Sequence, residues 1–575
     1  MWSSSGAKRP WNWKSSFKST PMTNKEIAQH FRQLGQLMEL HGENPFKIRS
    51  YQSAYRNLRA YEQPLSELSP EEIGSIKGVG KAISGKIQEL LDAGQMATLE
   101  KYRAKTPEGI QEMLNIKGFG PKKIMAVWEG LGVESVGELL YAVNENRLVE
   151  LKGFGAKTQE ELRKKLEYYQ KSKNRFHYAA IEAEAEQLLE AVQKALPEVP
   201  VDCCGAIRRK AVVIDEIEIL VGQEGAAEVL ADLGVLKEVS PEGDAHAAKT
   251  TTEAEVPVKV YTCPAAEFGT QLFTLTAGDT FLEAVTAKAP AADWAGQADE
   301  PAVFNILKLP YIVPELREQA WALERARSND LPELITEADI KGVVHAHTTY
   351  SDGAHTLREM AEYAKARGFQ YLGLTDHSKS AFYANGLKPE RVFEQMEEVD
   401  ALNQELAPFR IFKGIESDIL NDGSLDYEED VLKAFDFIIA SVHSNLRMDE
   451  DKATQRLITA IENPYTTMLG HPTGRLLLSR PGYPIDHQKV LDACAANGVS
   501  VEINANPYRL DLDWTWVPYA LEKGILLSIN PDAHSTSGMH DIRYGVLAGR
   551  KGGLTAAECM NALDTEGFAA AIRKG

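Results

Sequence analysis

The stretch "VVHAHTTYSDGAHT", beginning at Val343, sets His345 and His347 two residues apart and follows them with Asp352. Alternate residues of a strand share one face, so both imidazoles can reach a common ion. Downstream come His377, Glu416, His443, His471, Asp532 and His534, the last two again one residue apart. Imidazole nitrogens mixed with carboxylate oxygens suit Mn²⁺ or Zn²⁺ better than Mg²⁺. Any one histidine has an ordinary alternative as a hydrogen-bonded structural residue. A set on separate strand ends does not, and metal binding is the expectation. Nine of the thirteen histidines lie after residue 340. Three of those nine, His355, His487 and His540, fall away from strand ends and read as surface or helix residues.

The elements that must position these groups are short apolar runs alternating with helical stretches. The runs are "YLGLTDH", "IFKGIESDIL", "FIIASVHS", "TMLGHPTG", "VSVEINA" and "ILLSINPDAH", each carrying ligand-type residues. An α/β barrel displays its chemistry in this way, at the carboxyl ends of parallel strands. Residues 340–575 are long enough for one such barrel.

The front of the chain has a different texture. "IKGVGKAISGKI" (76–87), "IKGFGPKKIMAVW" (116–128) and "LKGFGAKTQEELRKKL" (151–166) each give an apolar residue, then Lys-Gly-x-Gly, then an amphipathic helix. Two glycines allow a tight turn whose N–H groups point outward at a helix start, a cradle for phosphate. The candidate DNA contacts are Lys77, Gly78, Gly80 and Lys81, then Lys117, Gly118 and Gly120, then Lys152, Gly153 and Gly155. A glycine turn before a helix is a common cap, but three in under 100 residues point to repeated phosphate contact. Lys47, Arg49, Arg56 and Arg59 add a basic helical face interleaved with aromatics.

Charge follows the same division. The net charge is −20, yet residues 1–175 hold 28 Lys and Arg against 20 Asp and Glu. The remainder holds 35 against 63. A basic front and an acidic rear are separate machines on one chain. The five cysteines lack zinc-ribbon spacing and fit reduced thiols in a cytoplasm. No apolar run approaches the ~18 residues of a membrane span. Residues 1–21 are Ser/Lys-rich and acid-free and read as a disordered tail or extension.

The hairpins resemble helix-hairpin-helix motifs. Their order, followed by "GAIRR", "EIEIL", "EFG" and "LKLPYIVPELRE", resembles a bacterial family X DNA polymerase. The rear pattern of His-x-His, Ser-Asp-Gly, Thr-Asp-His-Ser, Gly-Ile-Glu, Val-His-Ser, His-Pro-Thr-Gly-Arg and Asp-Ala-His-Ser resembles the polymerase and histidinol phosphatase (PHP) domain fused to such polymerases. The resemblance implies a multidomain chain. It consists of a helical helix-hairpin-helix N-terminal region, an α+β nucleotidyltransferase-like palm and a C-terminal PHP distorted α/β barrel. The expected boundaries are 22–100 and 101–175 for two helical DNA-binding parts and 176–292 for the palm. A thumb-like 293–325, a linker at 326–339 and the barrel at 340–575 complete them.

The resemblance also implies up to three metal ions in the barrel. His345, His347, Glu416 and Asp532 would hold one, Glu416 would bridge to a second at His443 and His471, and Asp352, His377 and His534 would hold the third. Glu416 and Asp532 carry the expected catalysis, which is phosphodiester hydrolysis. Arg475 is a candidate phosphate clamp, with a structural salt bridge as the equal alternative.

The palm departs from its family. The metal-binding Asp-x-Asp becomes Glu216-Ile217-Glu218, and the third aspartate falls on Pro257. Gly-Ser-x-Arg-Arg becomes Gly205-Ala206-Ile207-Arg208-Arg209, and the nucleotide loop reads Thr274-Leu275-Thr276-Ala277-Gly278. Arg208, Glu216 and Glu218 therefore mark a degenerate site, expected to hold Mg²⁺ poorly. The expected function is a DNA-repair 3′–5′ exonuclease, with abasic-site cleavage as a further activity. It would act as a monomer, away from membranes, on gapped, nicked or 3′-ended DNA of any sequence. The alternatives are a gap-filling polymerase with a proofreading barrel, a small-molecule phosphatase and a DNA scaffold.

Overall fold

In the computed structural model the described residues are 22–573, apart from 60, 62, 117, 172–174, 238, 243, 253 and 254. The expectations placed on residues 1–21 and on Lys117 lie outside them. The chain divides into two compact units, one ending at Ser135 and the other beginning at Val136.

The first unit is helical. Its α1 (Asn24–Leu40) opens on a capping box in which Thr23 and Glu26 satisfy each other's backbone N–H groups. It packs its apolar face, including Phe31 and Leu34, against α2 (Pro45–Arg59). The first two Lys-Gly-x-Gly hairpins lead into α3 (Lys81–Ala93) and α4 (Pro121–Leu131), with Gly80 and Gly120 as N-caps. Gly78 and Gly118 adopt φ of 81° and 84°, the left-handed backbone that only glycine enters freely. Asn57 donates to the Lys77 carbonyl at 2.6 Å and pins the first turn to α2.

The second unit begins with α5 (Val136–Asn144) and carries the third hairpin, where Gly153 has φ 94° ahead of α6 (Ala156–Lys171). A five-stranded sheet follows, made of β1 (Val201–Cys203), β2 (Ile217–Val221), β3 (Ser240–Glu242), β4 (Asp244–Thr251) and β5 (Pro257–Thr262). Its order is β1-β2-β5-β4-β3, with β2 and β5 parallel and the remaining pairs antiparallel. Pro257 stands at the first position of its strand, where a missing N–H is tolerated.

Beyond this sheet a buried ionic cluster ties the helices together. Glu300 accepts from Arg317 and from both terminal nitrogens of Arg208, the latter at 2.8 and 3.0 Å. Burial works against the Glu300 carboxylate, but the two guanidiniums hold its pKa down to about 2.

The barrel is built from seven parallel strands: β6 (Gly342–Ala346), β7 (Tyr371–Leu374), β8 (Arg410–Asp418), β9 (Phe437–Ser441), β10 (Met468–Leu469), β11 (Ser500–Asn504) and β12 (Leu527–Asn530). They lie side by side in chain order. His347 N donates to Ala533 O at 2.9 Å and Ala533 N to His345 O at 3.0 Å, which closes the first strand onto the last. Intervening helices cover the outer face with residues such as Leu357, Val392, Leu457 and Val490. The fold class is the one expected: helical front, α+β palm-like sheet and distorted α/β barrel.

Candidate metal centre

All nine expected ligands stand on or beyond the carboxyl ends of barrel strands, and all are buried except His443, which is nearly so. His345 is the penultimate residue of β6 and His347 the first beyond it; Asp352 lies in the next loop. His377 follows β7, Glu416 lies within β8, His443 follows β9, His471 follows β10, and Asp532 and His534 follow β12. His345 and Asp532 hold positive φ, 68° and 53°. Non-glycine residues rarely tolerate that backbone, which concentrates at functional sites.

Glu416 is the hub. Its Oε1 lies 3.0 Å from His471 Nε2, 3.1 Å from His443 Nε2 and 3.3 Å from His345 Nε2. Its Oε2 lies 3.0 Å from His377 Nδ1. Asp532 Oδ1 lies 3.1 Å from His347 Nε2, and Asp352 lies 3.5 Å from His377 and 3.4 Å from His534. Among the described residues, potential ligand atoms come within 4.8 Å of one another in four groups: His347, Asp352, His377 and His534; His345, His347 and Asp532; His377, Glu416 and His443; and Glu145, Asp532 and His534. The expected partition is thus less sharp in the geometry, since His347, His377, Asp532 and His534 each belong to two groups.

The charges follow from the packing. Burial disfavours ionised Glu416, Asp352 and Asp532, yet surrounding imidazoles hold all three well below the usual carboxylate range. Burial, helped by His534 and His377, pushes His347 down to about 3. For His377 burial opposes protonation, but Asp352 and Glu416 raise it to about 10. Carboxylates locked as anions among imidazoles are a trap for cations. His345 Nε2, His347 Nδ1, Asp352 Oδ2, Glu416 Oε2 and His534 Nε2 are buried without hydrogen-bond partners. Buried polar atoms are seldom left so. This donor set fits divalent metal ions.

Three carboxylates that the sequence reading did not single out support the ligands. Glu502 Oε2 lies 2.6 Å from His345 Nδ1, and Asp418 Oδ1 lies 2.6 Å from His443 Nδ1. Asp376 accepts from Thr348, Ser351 and Gln395 and fixes the loop carrying Asp352. A charged residue inside an apolar strand, as in "VSVEINA", was the available signal for Glu502. Arg475 is occupied with Asp513 and the carbonyls of Arg509 and Leu510, partners that fit the salt-bridge alternative. His540 bonds Tyr363 and His487 stacks on Trp516, both apart from the ligand set.

Comparison with known proteins places these observations in a lineage. Over 569 residues the chain is 34% identical to "DNA polymerase/3′-5′ exonuclease PolX" of Bacillus subtilis (strain 168), covering 95% of this chain and 99% of that one. The chain belongs to the PolX family. Within it, residues 22–96 match the helix-hairpin-helix domain model, 110–167 the SAM-like helix-hairpin-helix tandem and 344–506 the PHP domain. The chain is also 31% identical over 207 residues to a protein named Probable phosphatase from Thermoanaerobacter sp. (strain X514), covering 33% of this chain and 77% of that one. A similarly named protein of Acetivibrio thermocellus is 32% identical over 171 residues, 28% of this chain and 65% of that one. No helix among the described residues is long and apolar enough to cross a membrane.

In this PolX chain the palm-like sheet carries Glu218, with Glu216 just ahead of the same strand. Glu216 precedes β2, while Glu218 lies within it opposite Lys259 of β5. Glu218 Oε2 accepts from Ala206 N at 3.2 Å, and a Cβ on Gly205 would meet that oxygen at 1.6 Å. Tyr261 donates to Glu218 Oε1 at 3.3 Å. Arg208 is engaged by Glu300 and, at 3.3 Å, by Asp202.

Proposed function

We propose that this PolX protein acts mainly as a metal-dependent 3′–5′ exonuclease through its barrel, with the palm and hairpins orienting DNA. The observation that carries this reading is the contrast between the two sites. Eight of the nine candidate ligands fall in groups able to hold an ion and the ninth, His471, lies 3.0 Å from Glu416, whereas Glu218 folds back onto the turn at Gly205 and Arg208 is engaged by Glu300.

His345, His347, Glu416 and Asp532 would hold one ion, His443 and His471 a second shared with Glu416, and Asp352, His377 and His534 a third. Mn²⁺ or Zn²⁺ suits this mixture of donors. Bound cations would supply a water nucleophilic at neutral pH and neutralise the phosphodiester. The chain's own residues bind and orient them. Glu502 and Asp418 hold the Nδ1 edges of His345 and His443, which keeps Nε2 of each ring facing the cluster. Glycine hairpins that touch phosphate without reading bases fit a nuclease acting on gapped, nicked or 3′-ended DNA of any sequence.

One labelled primer-template with Mn²⁺, with and without deoxynucleotides, tests the reading. Shortening is expected in both reactions; extension without shortening would overturn it. A second reading, a gap-filling polymerase proofread by the barrel, is favoured by the double name of the Bacillus subtilis relative. The names of the phosphatase relatives favour a small-molecule phosphatase, and turnover of phosphomonoesters but not of DNA would support that.

A further inference from the structure

One carboxylate supporting the metal centre comes from outside the barrel. Three ligand imidazoles turn Nε2 toward the cluster and Nδ1 toward a buried acid. For His345 and His443 that acid, Glu502 or Asp418, belongs to a barrel strand. For His534 it is Glu145, which ends the last turn of α5 and lies within the helix-hairpin-helix match. His534 Nδ1 lies against Glu145 Oε2 and hydrogen-bonds the Asp532 carbonyl at 2.9 Å, while its Nε2 lies 3.4 Å from Asp352.

α5 is held against the barrel by contacts that involve no metal ligand. A Cβ on Gly137 would meet Ser479 Cβ at 2.2 Å, so this glycine allows the close approach. Glu138 pairs with Arg480, and Arg509 donates to the Tyr141 hydroxyl at 2.9 Å. Asn506 donates to Glu145 Oε1 at 3.1 Å. Gly137, Tyr141 and Glu145 recur at helical spacing, so one face of α5 makes the approach and delivers the carboxylate.

We infer that Glu145 is a positioning residue for His534, so that the ion held through His534 binds tightly only when α5 is docked. The inference rests on the metal-dependent reading above. A carboxylate at Nδ1 fixes the tautomer, leaves the Nε2 lone pair facing the cluster and raises the ring's basicity; losing such a partner costs about 10–100-fold in metal affinity. A segment of the DNA-binding repeat thereby takes part in building the hydrolytic site.

The test uses full-length protein stripped of metal and titrated with Mn²⁺, reading free Mn²⁺ by electron paramagnetic resonance. In Glu145→Ala one class of site should weaken by about 10–100-fold, with the other classes unchanged. Glu145→Gln, which keeps an acceptor but not the charge, should weaken it by about tenfold. Glu138→Gln, which loosens the Arg480 pair and leaves the Glu145 carboxylate in place, should titrate as wild type. Wild-type affinity in either Glu145 variant overturns the inference, and the isosteric Gln variant decides it should the Ala variant fail to fold. Uniform weakening of every class would also overturn it, by marking Glu145 as a general structural anchor. Wild-type protein that takes up no Mn²⁺ would instead remove the metal-dependent reading underneath.

Discussion

His345 Nδ1 lies 2.6 Å from Glu502 Oε2, and both side chains are fully buried. Glu502 also accepts from Asn504, from Asn530 and from the backbone of His471, so four bonds fix its carboxylate. Glu502→Gln should leave the fold intact and lower exonuclease kcat/KM by about 10–100-fold. Measured activity within twofold of wild type would remove its supporting role.

His345→Ala combined with His347→Ala takes two imidazoles from the cluster. Primer shortening should fall below about 1% of wild type, because the ion positions lose ligands outright. DNA affinity by fluorescence anisotropy should stay unchanged. Shortening that persists would locate the nuclease elsewhere.

The palm should be insensitive to its glutamates. Glu216→Ala and Glu218→Ala are expected to leave shortening unaltered and nucleotide incorporation at the wild-type level, whatever that level is. A measurable drop in incorporation would show that these carboxylates still serve synthesis.

Lys77 and Lys81 flank the first hairpin turn. Replacing both by alanine should weaken DNA binding equally across sequences and reduce the slope of log K against log salt by about 2. An unchanged slope would mean that this turn does not meet phosphate.

His177 is buried with Nε2 3.1 Å from the Leu477 carbonyl, and burial pushes its pKa down to about 4. Its ordinary value is about 6.5, so the unfolded chain binds the extra proton first as pH falls. Its contribution is fully present above about pH 6.5 and is lost as pH drops through 4, by roughly 3 kcal/mol. Melting curves between pH 7 and 4 should be flatter in His177→Gln than in wild type; parallel curves would contradict this.

The gathering of the nine candidate ligands was legible because a barrel places them at strand ends, and the runs in the sequence carry them there. The hairpin turns were legible from their glycines, whose left-handed backbone the fold bears out at Gly78 and Gly153. Glu145 was not, since a glutamate at the end of an amphipathic helix looks like solvated surface until the helix docks. Asp418 and Asp376 were hidden for a related reason: each stands one or two residues from a ligand and reads as part of the same motif. The sharing of His347 and His377 between groups depends on side-chain directions that spacing does not encode.

The boundary between the compact units runs through Ser135 and Val136, between the second hairpin and the third. Anyone shortening this chain to isolate its barrel should therefore cut upstream of Val136, not at the edge of the barrel near 340. Removing everything before 340 would discard the helix face that brings Glu145 against His534, and the loss of that contact would be mistaken for a property of the barrel.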